Sequence, residues 1–333
     1  MADVSFTFLS RRSVLTGLAA GAFSPLAPSA FGKPVADVEI LCAPTVASIV
    51  VARLFDAGAL APVLPEASFH LWHDTDELRA ATVANRSKLF TTPTHVPANL
   101  ANRGLPLKLL AVLGMGHLTI VSSDHTIASL ADLAGKPVLG FFRNDMPDLV
   151  FRAVAHMEGL DPDKDFKLTY VGTPMEAAQM LAAGRAETAI LSEPPATVAI
   201  MMAAHQGREL FRAFNLQDIW IKHKGGDGIP MVGLGVHESL IEAAPELVPL
   251  LRDGLPQAKD WVFANRPEAA ALAEKLMHYH QPMFLGALDH SQIKIMSAKA
   301  ARAGLEDFYK VIIALQPAAL DGHLPDASFY LDL

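Results

Sequence analysis

Three stretches of this sequence hold side chains able to grip a small molecule. Residues 89–117, LFTTPTHVPANLANRGLPLKLLAVLGMGH, set Thr91, Thr92 and Thr94 around Pro93 and end on His117. Hydroxyls and exposed backbone N–H groups at a strand-to-helix turn are a recurring device for holding small ligands. The plainer reading is an ordinary strand–helix–strand connection with a Thr-rich turn. In residues 142–147, FRNDMP, Arg143 and Asn144 precede a helix, a place suited to an anion or a carbonyl group. The alternative for Arg143 is a weak surface pair with Asp145 or Asp148. In residues 192–197, SEPPAT, Glu193 either accepts a ligand N–H or bonds to backbone N–H groups of its own turn. Trp72 offers a face for a planar ring and His73 a partner for a ring nitrogen.

The elements that must position these groups alternate strand with helix. Residues 38–42 form an apolar strand followed by Pro44-Thr45, residues 47–57 show helical spacing up to Gly58, and residues 68–72 form a second strand ending at His73. Asp74 or Thr75 caps the helix that follows, which leads to the strand before Thr91. The same alternation recurs over residues 127–205, with strands at 137–141, 166–171 and 188–191. Repeated strand–helix–strand units predict a parallel sheet with helices on its faces, and ligands in such sheets sit beyond the strand C-terminal ends. That geometry puts Thr45, Trp72, His73, Thr92, Thr94 and residues 114–117 on one rim. Residues 211–221 read as amphipathic or extended, 222–228 as a flexible polar loop, 230–236 as a strand, and 246–320 as mostly helical.

Composition narrows the class. The chain has 333 residues, 51% of them hydrophobic and 19% charged, enough for two domains with sizeable cores. A formal charge of -8 argues against a nucleic-acid surface or an anionic membrane. Residues 10–16, SRRSVLT, precede an apolar segment interrupted by Pro25 and Pro28, the pattern of a twin-arginine export signal. Ala30-Phe31-Gly32 places cleavage before Lys33, so residues 1–32 are the expected signal peptide. The single cysteine, Cys42, lies well past the apolar run, so lipid attachment is not supported and an internal disulfide is excluded. Cys42 is expected to pack as a small buried hydrophobe. The His70/His73 and His278/His280 pairs are poor metal sets, the latter falling on different faces of an expected helix. No metal and no cofactor are expected, and the mature chain is expected to be soluble, periplasmic and monomeric.

The ordered segments VEILCAPTVASIVVARLFDAGAL, TDELRAATVANRSKLFTTPTHVPANLANRG, LADLAGKPV, AAGRAETAILSEPPATVA and PELVPLLRDGLPQAKDWVFANRPEAAAL resemble the periplasmic substrate-binding proteins of ABC importers, in the nitrate/sulfonate/taurine and thiamine-precursor branch. The resemblance covers most of residues 37–272. It implies an α/β, two-lobed type II periplasmic binding protein fold, each lobe a mostly parallel sheet flanked by helices. Lobe 1 would comprise residues 33–122 and 240–333 and lobe 2 residues 123–239, with chain crossings near Val121 and about Ser239. It also implies a small-molecule solute held between lobes that close about the crossings, and a membrane permease and ATPase that read the closed form. Carried across residue by residue, the ligand rim falls on Thr45, Trp72, His73, Thr92, Thr94, His117, Arg143, Asn144 and Glu193. The solute class expected is aromatic or heterocyclic, with a sulfonate or another oxoanion as the alternative. Two other readings stand beside it: a lyase-like enzyme on the same fold, using His73, His117, Glu193 and Arg143, and a periplasmic sensor that binds without transport.

Overall fold

The computed structural model describes Val35 and residues 37–333; the expected signal peptide lies outside the described residues. In chain order the strands are β1 (Glu39–Cys42), β2 (Ser68–Leu71), β3 (Ser87–Pro93), β4 (Leu107–Met115), β5 (Leu118–Ser122) and β6 (Pro137–Phe141). After them come β7 (Lys167–Val171), β8 (Thr188–Ser192), β9 (Phe211–Asn215), β10 (Pro230–His237) and β11 (Ile293–Ser297). They form two sheets, ordered β11-β4-β10-β3-β1-β2 and β7-β6-β8-β5-β9, with helices on their faces.

The repeated strand–helix–strand units do build parallel ladders: β1 runs parallel to β2 and β3, and β6 to β7 and β8. Each sheet also carries antiparallel strands. β10 lies antiparallel between β3 and β4, and β5 antiparallel between β8 and β9. Those two strands decide where the chain changes sheet. β5 pairs only in the second sheet and β10 only in the first, so the chain leaves at Gly116-His117 and returns between Lys224 and Pro230. Crossings near Val121 and Ser239 are therefore corrected by several residues at each point. An apolar run reads alike in either sheet, and only its hydrogen-bonded neighbour fixes its membership.

Two other expectations change. Residues 222–224 are not loop: the helix Leu216–Lys224 runs through Lys222, His223 and Lys224, basic residues that suit the negative end of a helix dipole. β11 interrupts the tail expected to be mostly helical, pairing at the sheet edge with β4. Its residues are all only half-buried, so it lacks the alternation by which a strand is read from sequence.

Local signals elsewhere act as chemistry dictates. Asp74 caps the helix Thr75–Val83, its Oδ1 accepting from Asp76 N (3.0 Å) and Glu77 N (2.8 Å). β3 is buried along most of its length, with Leu89 and Phe90 fully enclosed. The return strand passes close above it, and a Cβ on Gly235 would lie 2.4 Å from Phe90 Cε2, so this position demands glycine for space. Cys42 is enclosed as expected, and burial pushes its thiol up to about 12.

Candidate functional site

A small cavity of about 50 Å³ lies between the sheets, at the C-terminal ends of seven strands: β1, β2, β3, β4, β6, β7 and β8. On this scale a water takes about 10–15 Å³, so the space holds only a few waters. Its wall is mostly apolar, with Trp72, Phe142, Met146 and Met231 prominent.

The three threonines of the β3 turn have three separate jobs. Thr91 stitches the wall together: its Oγ1 accepts from Ala43 N (2.6 Å) and lies 2.7 Å from Ser48 Oγ, while its carbonyl accepts from Trp72 Nε1 (2.9 Å). Trp72, only 4% exposed, is thereby fixed with its ring in the cavity wall. Thr92 faces the cavity, its hydroxyl donating to the neighbouring Pro93 carbonyl (3.1 Å). Thr94 turns away, donating to Pro230 O (2.7 Å), and its carbonyl accepts from Tyr309 Oη (2.7 Å). It anchors β3 to the return strand and does not line the cavity.

Thr45 does line it, and its buried Oγ1 has no hydrogen-bond partner among the described residues. An enclosed hydroxyl left unpaired costs about 1–3 kcal/mol, which a polar solute atom would recover. His117 lines the cavity at the first crossing, and burial pushes its imidazole down to about 4, so it is neutral at pH 7.

The remaining expected rim residues stand elsewhere. His73 points to solvent beside Asp74, its side chain 76% exposed. Arg143 and Asn144 are exposed, Arg143 reaching over the Tyr170 ring (5.6 Å) and Asn144 donating its backbone N–H to Asp148 (2.8 Å). The anticipated Arg143 pair with Asp145 or Asp148 does not form, because those carboxylates pair with Arg79 and Arg152. Phe142 (φ 48°) and Asn144 (φ 63°) are both left-handed, and this double twist carries Arg143 outward while Phe142 and Asp145 face the cavity. Glu193 is buried beside the cavity, saturated by its own lobe: Oε1 accepts from Arg212 Nε (2.8 Å) and Nη2 (2.5 Å), and Oε2 from Thr197 N (3.2 Å) and Thr197 Oγ1 (2.8 Å). The bond to its own turn is the outcome, with Arg212 added. Of the nine residues, Thr45, Trp72, Thr92 and His117 meet at the cavity and Glu193 adjoins it.

Two polar groups join the lobes in roles the sequence did not disclose. Asp145, 5% exposed, sits in the cavity wall on the second-sheet side and reaches across to the first. Its Oδ2 accepts from Thr75 Oγ1 (2.7 Å) and Arg79 Nη2 (3.0 Å), and Oδ1 lies 3.2 Å from His95 Nε2. Burial would raise its pKa, but His95 and Arg79 outweigh that and hold the carboxyl far below the usual range. Gln217, 1% exposed, ties the crossings together: its Oε1 accepts from Gly116 N (2.5 Å) and Ile229 N (2.9 Å), and its Nε2 donates to Gln292 (2.6 Å). Asp145 ahead of Met-Pro carries the signal of a helix cap, and its Oδ1 does accept from Met146 N (2.7 Å). Gln217 has no such signal.

Two mixed sheets flanked by helices, joined by two crossings with a cavity between them, define the two-lobed periplasmic binding protein fold of type II. Residues 93–277, more than half of the chain, match the NMT1-like family, and the protein belongs to that family. Among solved structures, an ABC transporter from Parabacteroides distasonis superposes with a TM-score of 0.73 at 20% identity, over 89% of this chain and 98% of the other. The periplasmic aliphatic sulphonate binding protein SsuA from Escherichia coli gives 0.65 at 17% identity, over 88% and 98%. The periplasmic nitrate-binding protein NrtA from Synechocystis PCC 6803 gives 0.67 at 13% identity, over 88% and 85%. At such identities the likeness is one of fold. No curated protein sequence gives a significant match.

Proposed function

We propose that this protein is the solute-binding component of an ABC importer, exported through a twin-arginine signal in residues 1–32 and acting in the periplasm as a soluble monomer. It captures a small organic molecule between its lobes, and a membrane permease and ATPase read the closed form. The carrying observation is the apolar cavity between the sheets, walled by Trp72 and provided with the unpaired hydroxyl of Thr45. A ring against Trp72 supports an aromatic or heterocyclic solute. The sulphonate- and nitrate-binding proteins of the same fold add an oxoanion as the alternative class. The cavity as it stands is smaller than an organic solute, so holding one requires the lobes to rearrange about the crossings at Gly116-His117 and residues 225–229. A lyase-like reading has less support, since His73 and Arg143 are exposed and Glu193 is saturated.

A thermal-shift screen of the mature protein against pyrimidines, aromatic carboxylates, sulfonates, nitrate and divalent metals tests this. A specific solute adds about 2.7 kcal/mol at a hundredfold excess over Kd. Stabilisation by one organic class without turnover is the expected result; conversion of that compound would put the enzyme reading first.

A further inference from the structure

Past His117 the cavity meets a second, larger recess of about 270 Å³, lined by Thr119, Glu193, Arg212, Phe214, Asn215 and His290, with His117 in both walls. The two spaces differ in character. The first is lined mainly by apolar side chains, whereas the second gathers hydrogen-bond donors. Arg212 spends Nε and Nη2 on Glu193 and Thr197, and its Nη1 makes no hydrogen bond among the described residues. Asn215 uses Oδ1 to accept from Gln217 N (2.8 Å), leaving its amide N–H groups to the recess. His117 and His290 add imidazoles to the lining.

Glu193 accepts four hydrogen bonds on its two oxygens, from Arg212 and Thr197, while the Arg212 Nη1 group stays available to the recess. Thr119 donates its hydroxyl to Phe214 O (3.0 Å), so it can only accept from a solute. Arg212 and His290 line the same space, and burial together with the Arg212 charge pushes His290 below its ordinary value.

We infer that the solute has two parts: an apolar, ring-sized body held against Trp72, and one carboxylate or sulfonate head held in the recess by Arg212, Asn215 and His290. This rests on the solute-binding reading and names the chemistry of that same site. Arg212 takes the role expected of Arg143.

Calorimetry with five probes tests the inference: benzoate, benzenesulfonate, benzyl alcohol, acetate and methanesulfonate. At least one of the first two should bind about tenfold or more tighter than benzyl alcohol and than its own isolated head, the gain expected of a charge-assisted hydrogen bond. Which of the two wins distinguishes carboxylate from sulfonate. His290→Leu, which leaves the Glu193–Arg212 pair intact, should weaken the winning probe and spare benzyl alcohol. The paired change Glu193→Gln with Arg212→Gln, neutral overall, should abolish the head preference. Binding of benzyl alcohol as tight as that of both charged rings, or a head preference that survives both variants, would overturn the inference and leave the solute-binding reading standing. If none of the five binds, the inference falls; if in addition no other organic solute stabilises the protein, the solute-binding reading falls with it.

Discussion

Gln217 gives the sharpest test of how the two lobes are joined. Its side-chain oxygen accepts from Gly116 at the outgoing crossing and from Ile229 at the returning one, in a buried setting. The fit is close: a Cβ on Gly116 would lie 2.3 Å from this oxygen and one on Gly228 2.4 Å from Gln217 Cδ. Gln217→Met keeps the volume and removes the acceptor, so the cavity contribution is small and the hydrogen bonds are isolated. Two buried N–H groups left unpaired cost about 1–3 kcal/mol each, giving a loss of about 2–6 kcal/mol. Equilibrium unfolding in urea, followed by tryptophan fluorescence and far-UV circular dichroism, reads this as a lower midpoint at unchanged slope. Coincidence of the two probes is required before the midpoint is converted to a free energy. A loss below about 1 kcal/mol would refute the reasoning, because the two N–H groups would then have equivalent acceptors elsewhere.

Three further outcomes follow from named contacts. Asp145→Asn removes the charge between Arg79 and His95 and keeps a single acceptor oxygen, for Met146 N or for Thr75 but not both; breaking a buried charged contact costs about 3–5 kcal/mol. Small-angle X-ray scattering should show a larger radius of gyration for the solute-free variant, and an unchanged radius would mean that the Asp145 bonds do not hold the lobes together. His117 is pushed down to about 4 in the folded chain against about 6.5 unfolded, so between those values the unfolded state binds more protons and stability rises with pH, by up to about 3 kcal/mol. His117→Gln should flatten that part of the stability–pH curve, and a parallel curve would remove the cause. Trp72→Phe keeps a ring in the wall but loses the bond to Thr91 O, so the urea midpoint should fall by the equivalent of about 0.5–1.5 kcal/mol, one buried hydrogen bond, and an unchanged midpoint would remove that bond's role.

How far the sequence discloses the site depends on whether each residue's role is local. Thr45, Trp72, Thr92 and His117 lie at or just past strand C-terminal ends, and strand periodicity alone puts such positions on the cavity rim. Arg143 and Asn144 lie in a loop whose two left-handed residues reverse the alternation, so spacing cannot say which side chain faces inward. His73 is displaced for a similar reason: its backbone N–H donates to Glu77 (2.7 Å) beside the helix cap, which turns the ring outward. Thr94 and Glu193 looked available because their partners, Pro230 and Arg212, are remote in sequence. Gln217 is the extreme case, with partners 101 and 75 residues away at Gly116 and Gln292 and no local pattern to flag it.

Asp145 and Gln217 both join the lobes, yet they have different relations to motion. Gln217 sits on the crossings themselves, where it can move as one body with Gly116 and Ile229. Asp145 is carried by the second-sheet side, and Thr75, Arg79 and His95 by the first, so its bonds exist only while the lobes are together. A solute that binds only the closed form is weakened by whatever fraction of the protein is open. Asp145→Asn should therefore weaken every solute by a common factor, whatever its head or ring, whereas Gln217→Met should lower global stability with little change in relative affinities. The recess variants should differ from both by changing selectivity. Three separable signatures, closure, stability and selectivity, thus map onto Asp145, Gln217 and Arg212.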